Sequence, residues 1–360
     1  MGSYDPPWAG VAPSETVTLT YDDGESSETN GAALAGAVAA LELGQKLAIG
    51  PGTWSVNRWW NVALRGTAEA PIWIVAADPS QKPVITRPDT GQNVMNVGAS
   101  GSPSRYICFR HLEFTGGDDL IKIYDAANVW IDRCYIHDGD GVGIAANSAD
   151  TEYLYITRNE IDDPGNPHDT AEGMYLGANH AAQIMRYSIV ALNHVHDCYG
   201  QQGDGIEVKE GSHDNWIAEN HVHDTNYPCI LIYGTGGRGT NVVERNVLYR
   251  SNDNTLQVQG EAIVRNNLIL AGATGFGSHD HQGQTRDLVF VHNTIVCANR
   301  GANLSSWNGR TGMIFANNAV YCRDGASIRF PNGSADVGMA GNVVVRSVVE
   351  YENFIEIFTK

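Results

Sequence analysis

Of the 360 residues, 42% are hydrophobic and only 18% charged, with 40 glycines; this excludes a disordered chain and suits a well-buried, turn-rich β protein. The formal net charge of −18 argues against nucleic acid or an anionic membrane as a partner, because both need basic surface to displace counterions. It also opposes a polyanionic substrate unless local positive charge or bound divalent cations reverse the field at short range.

The start, Met1-Gly2-Ser3, lacks the basic and apolar regions of a signal peptide, but such a start commonly comes from an expression vector, so the expected location leans to secreted or cell-surface. No apolar run approaches the ~18 to 20 residues that cross a bilayer. The stretch Asn30 to Gly44, NGAALAGAVAALELG, is the one strong helix, rich in Ala and Leu and closed by glycine. It is expected to cap the open end of a solenoid core within an N-terminal segment 1–46.

From residue 105 to 345 no segment has a helical period, whereas LIKIY, VGIAA, GMYLG, GIEVK, ILIYG and LQVQG read as short alternating strands. An asparagine followed by alternating apolar residues recurs at Asn159, Asn193, Asn220, Asn246, Asn267, Asn293, Asn318 and Asn342, 21 to 34 residues apart. Cys134 and His111 extend the column upstream. Strands repeating near every 25 residues require a solenoid whose coils pair in parallel with those above and below. The expectation is an all-β, single-stranded right-handed parallel β-helix of about ten coils over 47–346. The asparagines are read as scaffold: Asn tolerates left-handed turns, and its amides can bond from coil to coil. The segment 347–360, with Val348, Val349, Phe354, Ile355 and Phe358, is expected to cap or extend the other end.

Six scattered cysteines show no metal-ligand spacing. Cys297 and Cys322 should stack on adjacent coils, as packed thiols or as a disulfide, with thiols favoured. His194, His196, His221 and His223 repeat as NHVHD on neighbouring coils; two histidine columns of this kind could bind a transition metal, although a structural stack is the more economical reading.

Aligning Asp140-Gly-Val-Gly-Ile144, Glu172-Gly-Met-Tyr-Leu176 and Asp204-Gly-Ile-Glu-Val208 puts three carboxylates in one column. Coils stack at ~4.8 Å, so these like charges need compensation, and a calcium ion held by oxygen ligands is the simplest form of it. Strand alternation points Glu207 and Lys209 outward beside Asp204, where a lysine with a lowered pKa can serve as a base. The alternative is a surface ladder of turn acids neutralised by Lys209. The insertion DDPGNPHDTAE, 162 to 172, should project next to Glu172 and shape the site. Tyr175, Trp216, Tyr227, Tyr233 and Trp307 are candidates for a carbohydrate cleft, or for filling the core. His279, in GSHDHQGQTRD, should lie near the same face.

Two stretches carry a family resemblance. AIGPGTW (48 to 54) with LRGTAEAPIWIVA (64 to 76), and DGIEVKEGSHDNWIAENHV (204 to 222), resemble the calcium-dependent β-helix polysaccharide lyases of the pectin-lyase-like fold, among them alginate lyases and chondroitinase B. The resemblance implies that Asp204 is a calcium-binding acid and that Lys209, five residues later, removes the C5 proton of a uronate. Glu172 falls where the family has another calcium ligand, and Gln202 where it has a further acid. On the following coil the family reads an arginine before His-Gly; here Ile232-Tyr233-Gly234 stands instead.

The resulting expectation leans to an enzyme, a polysaccharide lyase. Catalytic residues would be Lys209, Tyr233 and His279; Glu207, Tyr175 and Arg238 would bind substrate; Glu172, Asp204, Asp140 and Gln202 would hold Ca2+. The partner would be a uronate-containing polysaccharide, with no nucleic acid and no membrane, and the chain a monomer. Rival expectations are a C5-epimerase; a glycoside hydrolase using carboxylate pairs such as Asp140 with Glu172 or Asp204 with Glu207; and a non-catalytic carbohydrate-binding or adhesive solenoid.

Overall fold

A computed structural model describes residues 4–271, 273–346 and 348–349. The strands form three parallel sheets of 14, 12 and 12 strands among the described residues. Each coil contributes one strand to each sheet in turn: Ile189–Ala191 to the first, His194–Cys198 to the second and Ile206–Val208 to the third, before Trp216–Ala218 begins the next coil. The fold is a right-handed parallel β-helix of about 13 turns. The excess over the expected ten lies upstream, where coils built on Thr53–Ser55 and Val84–Arg87 pair like the others but carry no asparagine.

Inward positions are apolar because each coil must bury one face of every strand. In the third sheet Ile121, Ile144, Met174, Ile206, Ile230, Leu256 and Phe276 stack in one fully buried column. Aromatic stacking continues this packing, with ring centroids 4.1 Å apart for Phe276 and Phe290 and 5.0 Å for Phe290 and Phe315.

The asparagine ladder forms at the turn between the first and second sheets. Asn159 Nδ2 donates to Asn193 Oδ1 at 3.0 Å, and the same bond runs on through Asn220, Asn246, Asn267, Asn293 and Asn318 to Asn342. The left-handed residue of each turn is the one before the asparagine, such as Arg158 (φ 55°) or Leu192 (φ 61°). Asparagine is therefore chosen for its amide, which satisfies buried backbone groups from coil to coil. Cys134 occupies the ladder position, its amide donating to Asn159 Oδ1. His111 is one residue out: it takes the left-handed turn (φ 57°), and Leu112 stands in the column.

The helix spans Ser27–Ala39, with Ser26 as its N-cap accepting from the Thr29 amide at 3.1 Å. It begins earlier than composition suggests because this cap satisfies its first turn, and it ends at Ala39, five residues before Gly44. Leu34, Ala35 and Val38 join the core of the first coil. A Cβ on Gly31 would lie 2.0 Å from the Ser55 carbonyl oxygen, so glycine is what allows the helix to sit on this strand. A strand Glu15–Leu19 precedes it and pairs in parallel with Gln45–Ile49.

All six cysteines are free and buried; Cys297 and Cys322 are register partners in adjacent coils. At the C-terminal end Val348–Val349 pairs with Ile328–Arg329, while Phe354, Ile355 and Phe358 lie outside the described residues. No helix of the described residues is long and apolar enough to cross a membrane.

Candidate active site

The site is built on the outward face of the third sheet, where Tyr175, Glu207, Leu231 and Gln257 are register neighbours on successive coils. Flanked by inward Ile206 and Val208, Glu207 points outward, as alternation predicts, yet it is only 4% exposed because loops close over it. Gln282 Nε2 donates to Asn179 Oδ1 at 2.8 Å, and Gln282 Oε1 accepts from the His180 amide at 3.2 Å. These contacts tie the loop after Ser278 to the loop after Leu176 and leave a cleft of about 530 Å³.

Lys209, 4% exposed, stands at its wall. Its Nζ donates to Glu207 Oε1 at 2.7 Å and lies 4.7 Å from the ring centroids of both Tyr175 and Tyr233. Tyr233 is close enough to Glu207 for the two to influence each other's ionisation. An amine, a carboxylate and a phenol are thus gathered at one wall of the cleft. Burial, with Glu207 and Asp204 nearby, pushes the Tyr233 phenol well up, so it stays a proton donor at neutral pH. Burial also raises the Glu207 carboxyl against the lowering effect of Lys209.

Glu172 and Asp204 are register neighbours, 1% and 3% exposed. Each has one buried oxygen without a hydrogen-bond partner, Glu172 Oε2 and Asp204 Oδ1. Burial pushes Glu172 up to about 7, and burial together with Glu207 and Glu172 raises Asp204 well above the ordinary carboxylate range. Buried acids without donors suit a bound cation or a shared proton.

Asp140 does not stand in this column. Ile144 pairs with Met174 rather than Leu176, so Val142 is the neighbour of Glu172, and Asp140, two residues earlier, accepts from Asn166 Nδ2 at 3.0 Å. A two-residue slip keeps the same alternation of inward and outward side chains, so the sequence pattern could not exclude it. The expected hydrolytic pair of Asp140 with Glu172 falls with it, whereas Asp204 and Glu207 are close enough to interact strongly.

Gln202 is exposed but lines the cleft with Asp204. His279 also lines it, as does His281, whose ring stacks on Tyr233 with centroids 5.1 Å apart. The contact of His281 depends on a loop that no strand pattern describes. Arg238 is exposed, bonds its own turn through the Thr235 carbonyl at 3.3 Å, and is not among the cleft-lining residues. Of the aromatic candidates, Tyr227 lines the cleft, Trp307 is core and Trp216 packs on Tyr4 outside the first sheet. Gln257, Asp253 and Asn254 complete the far wall, one coil beyond Tyr233; Gln257 follows from the register of LQVQG.

A family model described as a right handed beta helix region matches residues 90–248. Among solved structures the chain is similar to an alginate lyase from Paenibacillus sp. str. FPU-7, at 16% identity and a TM-score of 0.51 over 92% of this chain and 99% of that one. It is also similar to a mannuronic acid specific polysaccharide family 6 lyase from human gut microbiota, at 12% identity and a TM-score of 0.54 over 94% and 84% of the chains. XylC in its complex with xylose gives 10% identity and a TM-score of 0.59 over 95% and 87%. No curated protein matches the sequence significantly. The chain is a right-handed parallel β-helix protein, sharing its fold with polysaccharide lyases of known structure.

Proposed function

We propose that the chain is a polysaccharide lyase that cleaves a uronic-acid-containing polymer by β-elimination in the Lys209 cleft, acting outside the cytoplasm where such polymers occur. The observation that carries this reading is the buried Lys209–Glu207 pair, 2.7 Å apart, with the Tyr233 ring 4.7 Å from Lys209 Nζ, all three at the wall of a sugar-sized cleft. Transfer of a proton from the Lys209 ammonium to Glu207 frees the amine. The amine takes the C5 proton, the C5–H electrons form the C4–C5 double bond, and the C4–O4 bond breaks. Tyr233 protonates the departing O4 and is reprotonated by Glu207, so the proton count closes. Tyr227 and His281 line the cleft and offer ring faces for sugar packing, while Tyr175 stands beside Lys209 and is not among the cleft-lining residues.

Glu172 and Asp204 fit a hard cation through their two unpartnered oxygens. Calcium bound there would neutralise the substrate carboxylate and acidify the C5 hydrogen. Return of the proton to the opposite face of C5 would instead give epimerisation.

A hydrolase reading is favoured by one observation, the two carboxylates Asp204 and Glu207 that both line the cleft. The two readings differ in product. Alginate, pectate and glycosaminoglycans, each incubated with the protein and calcium, should include one polymer that yields unsaturated ends absorbing in the ultraviolet, and Lys209→Ala should abolish the signal. New reducing ends without that absorbance would favour hydrolysis; no product from any uronate polymer would reject the lyase.

A further inference from the structure

On the second sheet, away from the cleft, four imidazoles occupy two outward columns of adjacent coils: His194 pairs with His221, and His196 with His223. The rings of His194 and His221 stack at 4.8 Å and those of His196 and His223 at 5.2 Å. The solenoid does not require histidine here. On the coils that follow, the same columns carry Val247 and Tyr249, then Leu268 and Leu270, then Thr294 and Val296.

The nitrogens converge. His194 Nε2 and His223 Nε2 are 2.9 Å apart, and one ligand atom each from His194, His221 and His223 lies within 4.8 Å of the others. His223 Nδ1 sits 2.5 Å from Asp224 Oδ2, which fixes its proton on Nδ1 and turns the Nε2 lone pair toward His194. Glu160 lies 4.0 Å from His194 Nδ1 and adds negative charge beside the cluster. A carboxylate behind the distal nitrogen is the usual support of a metal-bound imidazole. With its proton on Nδ1, His223 turns the Nε2 lone pair onto His194 Nε2, a contact that either a proton or a shared cation can bridge. Ligands ~2.0 to 2.1 Å from a tetrahedral zinc are separated by about 3.3 Å, so the present spacing needs only side-chain adjustment. His194 is partly exposed, giving an ion a path from solvent, and Arg250, the nearby cation, is paired with Asp224.

The geometry points to a transition-metal site formed by His194, His221 and His223, taking a zinc-class divalent ion with one position open to water. All-imidazole donors select zinc, nickel or copper over calcium or magnesium, so this site is chemically distinct from the acidic pair Glu172 and Asp204. Its ligands come from two successive coils, and a bound ion would fasten those coils together.

The test is calorimetric titration of the full chain, stripped of metal by a chelator, with Zn2+ alone. The expected result is one ion per chain, a dissociation constant in the micromolar range or tighter, and a rise in melting temperature at saturation. His223→Gln and His221→Gln, each checked for folding by circular dichroism, should each weaken binding at least 30-fold, while His279→Gln, in the cleft, should not. Co2+ in place of Zn2+ should give the visible absorption of a low-coordinate nitrogen site. Absence of stoichiometric binding, or binding unchanged in both variants, would overturn the assignment.

Discussion

Glu172 offers the most discriminating test of the acidic pair. Its carboxyl is raised from an ordinary 4.5 to about 7, chiefly by burial. At ~1.4 kcal/mol for each factor of ten, a difference of 2.5 corresponds to about 3 kcal/mol. Because the folded value is raised, this stability is fully present below about 4.5 and is lost as pH rises through about 7. Glu172→Gln keeps the shape and removes the charge. In chelator it should match the wild type at pH 4.5 and exceed it by about 3 kcal/mol at pH 8, measured by urea unfolding. Millimolar calcium should reverse the order at pH 8, stabilising the wild type and leaving the variant unchanged. A variant equal to wild type at both pH values in chelator would refute the claim that Glu172 is an uncompensated buried acid. A calcium effect that survives in the variant would refute the cation site.

Lys209→Met strands the Glu207 carboxylate in a buried position and should cost ~3 to 5 kcal/mol at neutral pH; adding Glu207→Gln should recover most of that in chemical denaturation while activity stays lost. Asn220→Ala removes the ladder bonds to Asn193, Asn246 and the Val190 carbonyl, and thermal or urea unfolding should show a loss of about 2 to 5 kcal/mol. Two helix glycines should behave oppositely. Gly31→Ala meets the Ser55 carbonyl oxygen and should destabilise by several kcal/mol, whereas Gly36→Ala has nothing within 4 Å and should stabilise by about 0.5 to 1 kcal/mol; melting of both variants against wild type checks the pair.

The architecture was legible because a solenoid writes its period into the chain: each coil must bury the same columns and satisfy the same turn, so Asn159 and its successors recur. The ladder identified the turn but not its backbone, since the left-handed residue is the one before the asparagine. The coil count fell short because the coils before His111, built on Thr53–Ser55 and Val84–Arg87, carry no asparagine at that turn.

In the site, alternation alone placed Glu207 and Lys209 outward, and their adjacency to Tyr175 and Tyr233 followed from the coil register. Asp140 was misplaced because a shift of two residues leaves every inward and outward assignment unchanged. His281 and Gln282 were out of reach for another reason: loops between coils have no period, and their contacts depend on where two distant loops meet. Sequence by itself therefore determined the solenoid, its ladder and the outward face bearing Lys209, because those are repeated local rules. Tertiary structure decided which acid stands beside Glu172, how deeply Lys209 is enclosed, and that His194, His221 and His223 converge, because register and loop closure depend on the packing of coils.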